Sequence, residues 1–285
     1  MIISGSNFFG LSVFYAQGKC HQLLNSLLEP ALESLCTEGI IENFYFHLSH
    51  EQGSHINISM FTDSDGLELT ARVDEAVGQF LKSVPSRNSK ENFPKETIFR
   101  NFENNSFVWD IFPQHPVSTT NIPADKLAHI RYAVSKLICS QFRRKPLGKD
   151  ALFSFSIQLQ VLACWTLFAN KNKAAEEVKV QVSRMLSMLP VKQQTLIEAA
   201  SDYVIKQNMK ELSGLSESVW SKQFEDLHHE DFREWIMVCK NLKSGLQSPA
   251  HTFIDICGII MEHINLPSRQ LNFISVSTTS KLLFN

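Results

Sequence analysis

Nothing in this sequence spells out a metal, nucleotide or hydrolase site. Its six cysteines (Cys20, Cys36, Cys139, Cys164, Cys239 and Cys257) are scattered, without a C-x-x-C pair or any metal-ligand spacing. There is no G-x-G-x-x-G or Walker loop to cradle a phosphate, no H-E-x-x-H to hold a zinc ion, and no G-x-S-x-G elbow. His228 and His229 are adjacent, which sets them about 100° apart on a helix and marks them as surface residues. No organic cofactor or metal is indicated. Neither sign of charge dominates: 27 Lys+Arg stand against 29 Asp+Glu, a net −2. No global field therefore draws in nucleic acid or an anionic membrane. Cations cluster only at Arg143, Arg144, Lys145 and Lys149, where they read as a solvated linker. No apolar stretch reaches the roughly 18–20 residues needed to cross a bilayer. No charged segment followed by an apolar core opens the chain. Most cysteines lie in apolar, helix-like runs, so the sequence reads as a cytoplasmic protein with reduced thiols.

What is present is enough for a substantial core: 285 residues, 44% hydrophobic and 20% charged. Phe8–Tyr15 reads as a first strand. From Lys19 to Glu38, Leu23, Leu24, Leu27, Leu28, Leu32 and Leu35 recur at helical spacing; Gly39 can cap the end, and Pro30 should kink or divide the helix. A hairpin over 44–60 follows, then a helix over Arg72–Val84. Residues 85–95 read as a loop, Thr97–Phe102 and Ser106–Phe112 as extended segments, and 110–123 as irregular. Beyond them the pattern is helical at 124–142, 150–169, 173–188, 191–211, 230–244 and 250–264, with a poorly defined helix within 216–227. The tail 271–283 is β-branched and serine-rich, and reads as a last strand or a short helix. The expected fold class is α+β: an antiparallel or mixed sheet with packed helices in the N-terminal half, and a mostly helical C-terminal half. We expect one unit over 1–285, with an α+β part at 1–123 and a mainly helical part at 124–285.

The hairpin FYFHLSHEQGSHINISM (44–60) is the most informative stretch. By period two, Phe44 and Phe46 share one face of the first run, with Tyr45 and His47 on the other. In the second run His55, Asn57 and Ser59 oppose Ile56, Ile58 and Met60. The polar row can be solvated surface or the floor of a site. Glu103-Asn104-Asn105-Ser106 can be a turn, since Asn and Ser bond their own backbone, or a site loop leading to Trp109 and Asp110. Gln158, in an otherwise apolar helix, can be a structural bridge or a site donor.

The N-terminal 60 residues resemble the small domain of lantibiotic dehydratases, found also as stand-alone thiopeptide-type bacteriocin biosynthesis proteins. That family opens on an aromatic strand, a leucine-rich helix ending in a Glu-Gly-Ile-Ile-like phrase, then W-F-F-x-R-Y-x-D-P-x-x-H-L-R-x-R. This chain offers GLSVFY (10–15), LLNSLLEPALESLCTEGII (23–41) and FYFHLSHEQGSHINISM (44–60). Beyond residue 60 the likeness is one of general layout. The departures are informative. His55 keeps the family's histidine, but Leu48, Asn57 and Ser59 stand where it has arginines. Its Glu-Arg-Tyr-Gly-Gly segment falls near ENNS (103–106), and its H-M-x-x-N-R phrase near VSTTSK (276–281).

In members that make dehydroamino acids, the resemblance implies, those arginines and the histidine serve to expel glutamate. That elimination needs cations for the departing carboxylate and a base for the α-proton. The same family builds the central pyridine of thiopeptides, joining two dehydroalanines of a leader-bearing, thiazole-containing peptide by a formal [4+2] cycloaddition with loss of water and leader. That task needs a shaped pocket more than a charged one. On this expectation His55 and Asn57 donate to a substrate amide, with Tyr45 or His47 alongside. Glu103 or Asp110 accepts a proton, Trp109 packs on the thiazoles, and Ser59 and Gln158 complete the binding surface. The expected partner is the modified precursor peptide, with no nucleic acid and no membrane; a homodimer is left open. A glutamate-eliminating lyase and a non-catalytic leader-binding module are the alternatives.

Overall fold

The computed structural model describes residues 7–16, 19–49, 54–63, 66–86, 102–110, 122–144, 148–168, 170–221, 230–243, 248–264 and 269–284. The chain forms two compact units. One holds Met1–Ser118 with Val134–Leu147, the other Thr119–Ala133 with Gly148–Asn285.

Among its described residues the first unit is built on four antiparallel strands, β1 (Asn7–Phe14), β2 (Asn43–Ser49), β3 (His55–Thr62) and β4 (Ser106–Trp109), in the spatial order β2-β3-β1-β4. Alternation sends Phe44, Phe46, Ile56, Ile58, Met60, Leu11 and Val13 to one face, all of them buried. On that side lie a helical stretch before β2 and the helix α3 (Leu67–Ser83). A groove of about 360 Å³ remains between them, floored by Leu11, Ile58 and Met60 and walled by Leu32, Val73 and Val77. Each such side chain taken out of water contributes about 1.5–3 kcal/mol, so this layer is what holds the sheet to its helices.

The leucine-rich helix is divided as Pro30 requires. It runs as α1 (Cys20–Leu23), a π-helical turn (Leu24–Leu28) and α2 (Glu29–Thr37). Pro30 has no N–H to give and its ring crowds the carbonyl four residues back, and the wider π turn just before it relieves both problems. Gly39, at φ 74°, then ends α2: its N–H bonds the Cys36 carbonyl while the N–H of Ile40 bonds Leu35. At the outer edge of β2, Ser135 Oγ accepts from the Phe46 N–H at 3.0 Å and donates to the Phe46 carbonyl at 3.2 Å. Ser135 belongs to α4 (Ala124–Arg144), whose residues from Val134 onward count with this unit. Arg143, in the last turn of α4, is not simply part of a solvated linker: it pairs with the buried Glu29 of α2. The expectations for Thr97–Asn101, for the side chains of Arg144, Lys145 and Lys149, and for His228–His229 fall outside the described residues.

The second unit is helical: α5 (Lys149–Leu167), α6 (Lys171–Ser187), α7 (Val191–Trp220), α8 (Glu230–Lys243), α9 (Pro249–His263) and α10 (Arg269–Phe284), with the first part of α4. Two expected helices are one. α7 continues past 211, bending at Asn208, whose φ of −119° leaves the helical region and whose side-chain amide bonds the Val204 carbonyl. The tail is a sixteen-residue helix, not a strand. Local propensity is overridden there because its hydroxyls are answered inside the core. Thr278 Oγ1 donates to the Ile274 carbonyl, Ser275 Oγ accepts from Gln160 Nε2 at 2.6 Å, and Thr279 Oγ1 donates to Gln160 Oε1 at 2.8 Å. The bridging amide of α5 is thus Gln160, not Gln158, which is only half-buried. By length and composition, Asp150–Leu167 of α5 does qualify as a bilayer-crossing segment, contrary to the expectation. It lies two-thirds buried in the protein, as a core helix does.

Two substitutions test this account. Gly66, at φ 77°, opens α3, and a Cβ there would overlap the Phe9 ring, whereas one at Gly39 would meet nothing. Gly66→Ala is expected to cost about 2–4 kcal/mol in urea unfolding, and Gly39→Ala about 1 kcal/mol, because only the first adds a collision to the left-handed backbone. Gln160→Leu strands the hydroxyls of Ser275 and Thr279 and is expected to cost about 1–3 kcal/mol by the same measurement.

Candidate functional site

The other face of the sheet carries the polar row, in three ranks set by strand register. Tyr45, Ser59 and Gly10 form one rank, His47, Asn57, Ser12 and Val108 the next, and Ser49, His55, Phe14 and Ser106 the third. The row is not solvated surface. His47 and Asn57 are each 7% exposed, His55 1%, and Tyr45 and Ser59 fully buried. A buried polar group left unanswered costs about 1–3 kcal/mol, so its partners matter. In the middle rank, Ser12 Oγ donates to Asn57 Oδ1 at 2.5 Å and Asn57 Nδ2 meets His47 Nε2 at 3.0 Å. At one end the Phe14 ring lies between His55 (4.8 Å) and Phe102 (4.7 Å). At the other, Phe61 packs against both Tyr45 and Phe8. Aromatic rings therefore wall a short band of neutral donors and acceptors.

The remaining sequence-chosen residues divide. Trp109 pairs in register with Leu11, on the opposite face, and its ring N–H donates to Asp74 of α3 at 2.8 Å. It does not join the row. Asp110 follows β4 at φ 50°, exposed, its carboxylate accepting the Gly10 N–H at 2.8 Å. That holds it beside the rank of Ser59. Glu103 is exposed, and its carbonyl takes the Ser106 hydroxyl. The ENNS loop is a clamp: Ser86 donates its N–H to Asn105 Oδ1, and its carbonyl accepts from the side-chain amides of both Asn104 and Asn105. Its asparagines are spent on structure. Gln158 belongs to the helical unit. The cysteines are no better placed as nucleophiles. Burial pushes the Cys36 thiol to about 11 and Cys239 to about 12, and raises Cys139, Cys164 and Cys257 as well. Among the described residues no three of His, Cys, Asp and Glu converge as metal ligands.

No family model matches the sequence, and no curated protein matches it. Solved structures do. A pyridine synthase from thiomuracin biosynthesis, TbtD, superposes with a TM-score of 0.70 at 14% identity, over 96% of this chain and 97% of that one. The chain has its fold. TsrL follows at 0.61 and 10% identity, with 98% of both chains covered. The tRNA-dependent lantibiotic dehydratase MibB from Microbispora sp. 107891 follows at 0.60 and 10%, over 98% of this chain but 28% of that one. The resemblance drawn from residues 10–60 thus holds for the fold of nearly the whole chain, which spans about a quarter of the larger dehydratase's length.

Two features escaped the sequence. Ser12 is a single hydroxyl in an aromatic strand, and the signal for it was its period-two alignment with Gly10 and Phe14. The second is a buried ion pair in the helical unit, where the guanidinium of Arg131, 1% exposed, grips both oxygens of Glu262. No spacing rule joins residues 131 apart. Burial raises the Glu262 carboxyl above its ordinary 4.5, with Arg131 only partly offsetting it. A raised carboxyl favours the folded state while protonated, and this contribution is lost as pH rises through its folded value. Wild type is therefore expected to lose stability relative to Glu262→Gln as pH rises past 4.5, read from urea midpoints. Glu262→Ala, which leaves Arg131 buried without its carboxylate, is expected to cost about 3–5 kcal/mol at neutral pH.

Proposed function

We propose that this chain is a pyridine-forming cyclase of thiopeptide-type biosynthesis. It acts on a leader-bearing, thiazole-containing peptide with two dehydroalanines. The observation that carries this reading is the buried, neutral row of Tyr45, His47, His55, Asn57 and Ser59. None of the four strands beneath it contains Asp, Glu, Lys or Arg. Expelling glutamate from a modified serine or threonine calls for cations aimed at the departing carboxylate. Such a row offers no lysine or arginine. It offers buried hydrogen-bond donors between aromatic walls, which suits a neutral substrate. The fold shared with the pyridine synthase TbtD and with the lantibiotic dehydratase MibB supports a role in modifying a precursor peptide, and the row favours the first of the two reactions.

In the proposed reaction one backbone amide shifts to its imidic-acid form, making a 2-azadiene with its dehydroalanine. Two carbon–carbon bonds then form to the second dehydroalanine, giving a six-membered ring that still bears the hydroxyl. Loss of that hydroxyl as water, and of the leader as its amide, aromatises the ring without an oxidant. Bringing two distant alkenes into reacting geometry accounts for the largest share of the catalysis, since fixed proximity can supply about 7–11 kcal/mol. His55, His47 and Tyr45 polarise the amide and carry protons to the leaving groups. Asp110, tethered at Gly10 beside Ser59, accepts the proton. Trp109 and Gln158 have no part in the row. The cytoplasm, where a precursor peptide is made, is the proposed location.

The test is incubation of the protein with a linear, thiazole-containing, leader-bearing peptide carrying two dehydroalanines, followed by mass spectrometry. Loss of water and leader together with a new pyridine absorbance is the expected result. Turnover of a glutamylated peptide alone would overturn the proposal, as would binding without turnover. His55→Ala and Asn57→Ala are each expected to slow conversion about 100-fold, with affinity for the leader unchanged.

A further inference from the structure

The middle rank of the row contains a chain of three side chains from three strands: Ser12 on β1, Asn57 on β3 and His47 on β2. Ser12 is 2% exposed and the other two 7%, so bulk water does not decide how they bond. Their contacts with one another do. The Ser12 hydroxyl donates to Asn57 Oδ1 in a short O–H···O bond. The amide oxygen of Asn57 therefore faces the serine, and its nitrogen faces His47 at 3.0 Å. An amide nitrogen donates and cannot accept, so Nε2 of His47 must be the accepting nitrogen. In the neutral imidazole the ring proton then sits on Nδ1.

We infer that Ser12 is a positioning residue that fixes the tautomer of His47 through Asn57. The hydroxyl proton of Ser12 selects which way the Asn57 amide points. The amide in turn occupies the Nε2 lone pair of His47. His47 therefore meets its surroundings as an N–H donor through Nδ1, and it is not a base through Nε2. Asn57 serves chiefly to orient His47. Reversing any one of the three requires reversing the other two, because two donors or two acceptors would otherwise face each other in a buried site.

The inference rests on the cyclase reading only for its catalytic consequence; the tautomer stands on geometry. The deciding measurement is a long-range proton–nitrogen correlation spectrum of the whole protein labelled at histidine nitrogen. His47 is assigned by the signal lost in His47→Gln. Wild type is expected to give the Nδ1–H pattern. Ser12→Ala should lose that preference and show Nε2–H or a mixture, and Ser12→Thr, which keeps the hydroxyl, should restore it. An Nε2–H pattern in wild type overturns the inference, as does a Ser12→Ala spectrum identical to wild type. Should Ser12→Ala fail to fold, Ser12→Cys, whose thiol is a weak donor, takes its place with the same expected loss of preference. On the peptide substrate, Ser12→Ala should lower kcat about tenfold with KM little changed, and Ser12→Thr should recover it. A tautomer that responds as stated in a protein that forms no pyridine overturns the function and leaves the inference standing. Pyridine formation with a tautomer indifferent to Ser12 does the reverse.

Discussion

Strand register is the constraint on which the rest of the first unit depends. Tyr45 opposite Ser59, and His47 opposite Asn57, keep these side chains and His55 on one face of β2 and β3. A slip of one residue would turn them all into the helix-packed layer and push Phe44, Phe46, Ile56 and Ile58 to the other side. The apolar layer therefore does more than stabilise the sheet. By making that slip expensive it sets where every hydrogen-bonding group of the row stands. Loop composition could vary without disturbing the row; alternation in these strands could not.

The helical unit solves a related problem by a different route. Its last helix is rich in serine and threonine, residues that compete with helical backbone bonds when nothing else answers them. Here Gln160 answers two hydroxyls at once, and Ser201 of α7 reaches the Ile274 carbonyl. Polar side chains in this core act as connectors with defined partners, and they tie α10 to α5 and α7 at particular heights. The same logic governs the Ser86–Asn104–Asn105 clamp, which fixes the approach to β4. In both places residues that look like chemistry in a sequence prove to be joinery.

How much of this was legible beforehand follows from the physics of each signal. Period-two alternation in 44–60 gave both faces of the hairpin, and the leucine spacing, Pro30 and Gly39 gave a divided, capped helix, because those signals are local. The tail stayed undecided between strand and helix because its helix depends on tertiary partners. Gln158 was chosen over Gln160 because both lie in one apolar run and only the three-dimensional packing separates them. Trp109 was expected to pack on the substrate because its strand could not be placed in register from the sequence. Ser12 and the Arg131–Glu262 pair depend on contacts between distant segments, which no spacing rule reports. The fold class was readable early, since the N-terminal pattern of strands and helices is regular; the network inside the row was not.

The seal on β2 has a consequence for how the protein is made. Two outward N–H groups of that edge strand are answered by side chains: Phe44 by Asn43 beside it, and Phe46 by Ser135. Ser135 lies 89 residues further along the chain. As the polypeptide emerges from the ribosome, the hairpin is complete long before its guard exists. Until α4 arrives, β2 presents an open ladder able to recruit another nascent strand. The first unit is thus discontinuous in a way that matters for synthesis. Its sheet is protected against pairing with neighbours only once a segment from beyond the start of the second unit has been translated and has folded back.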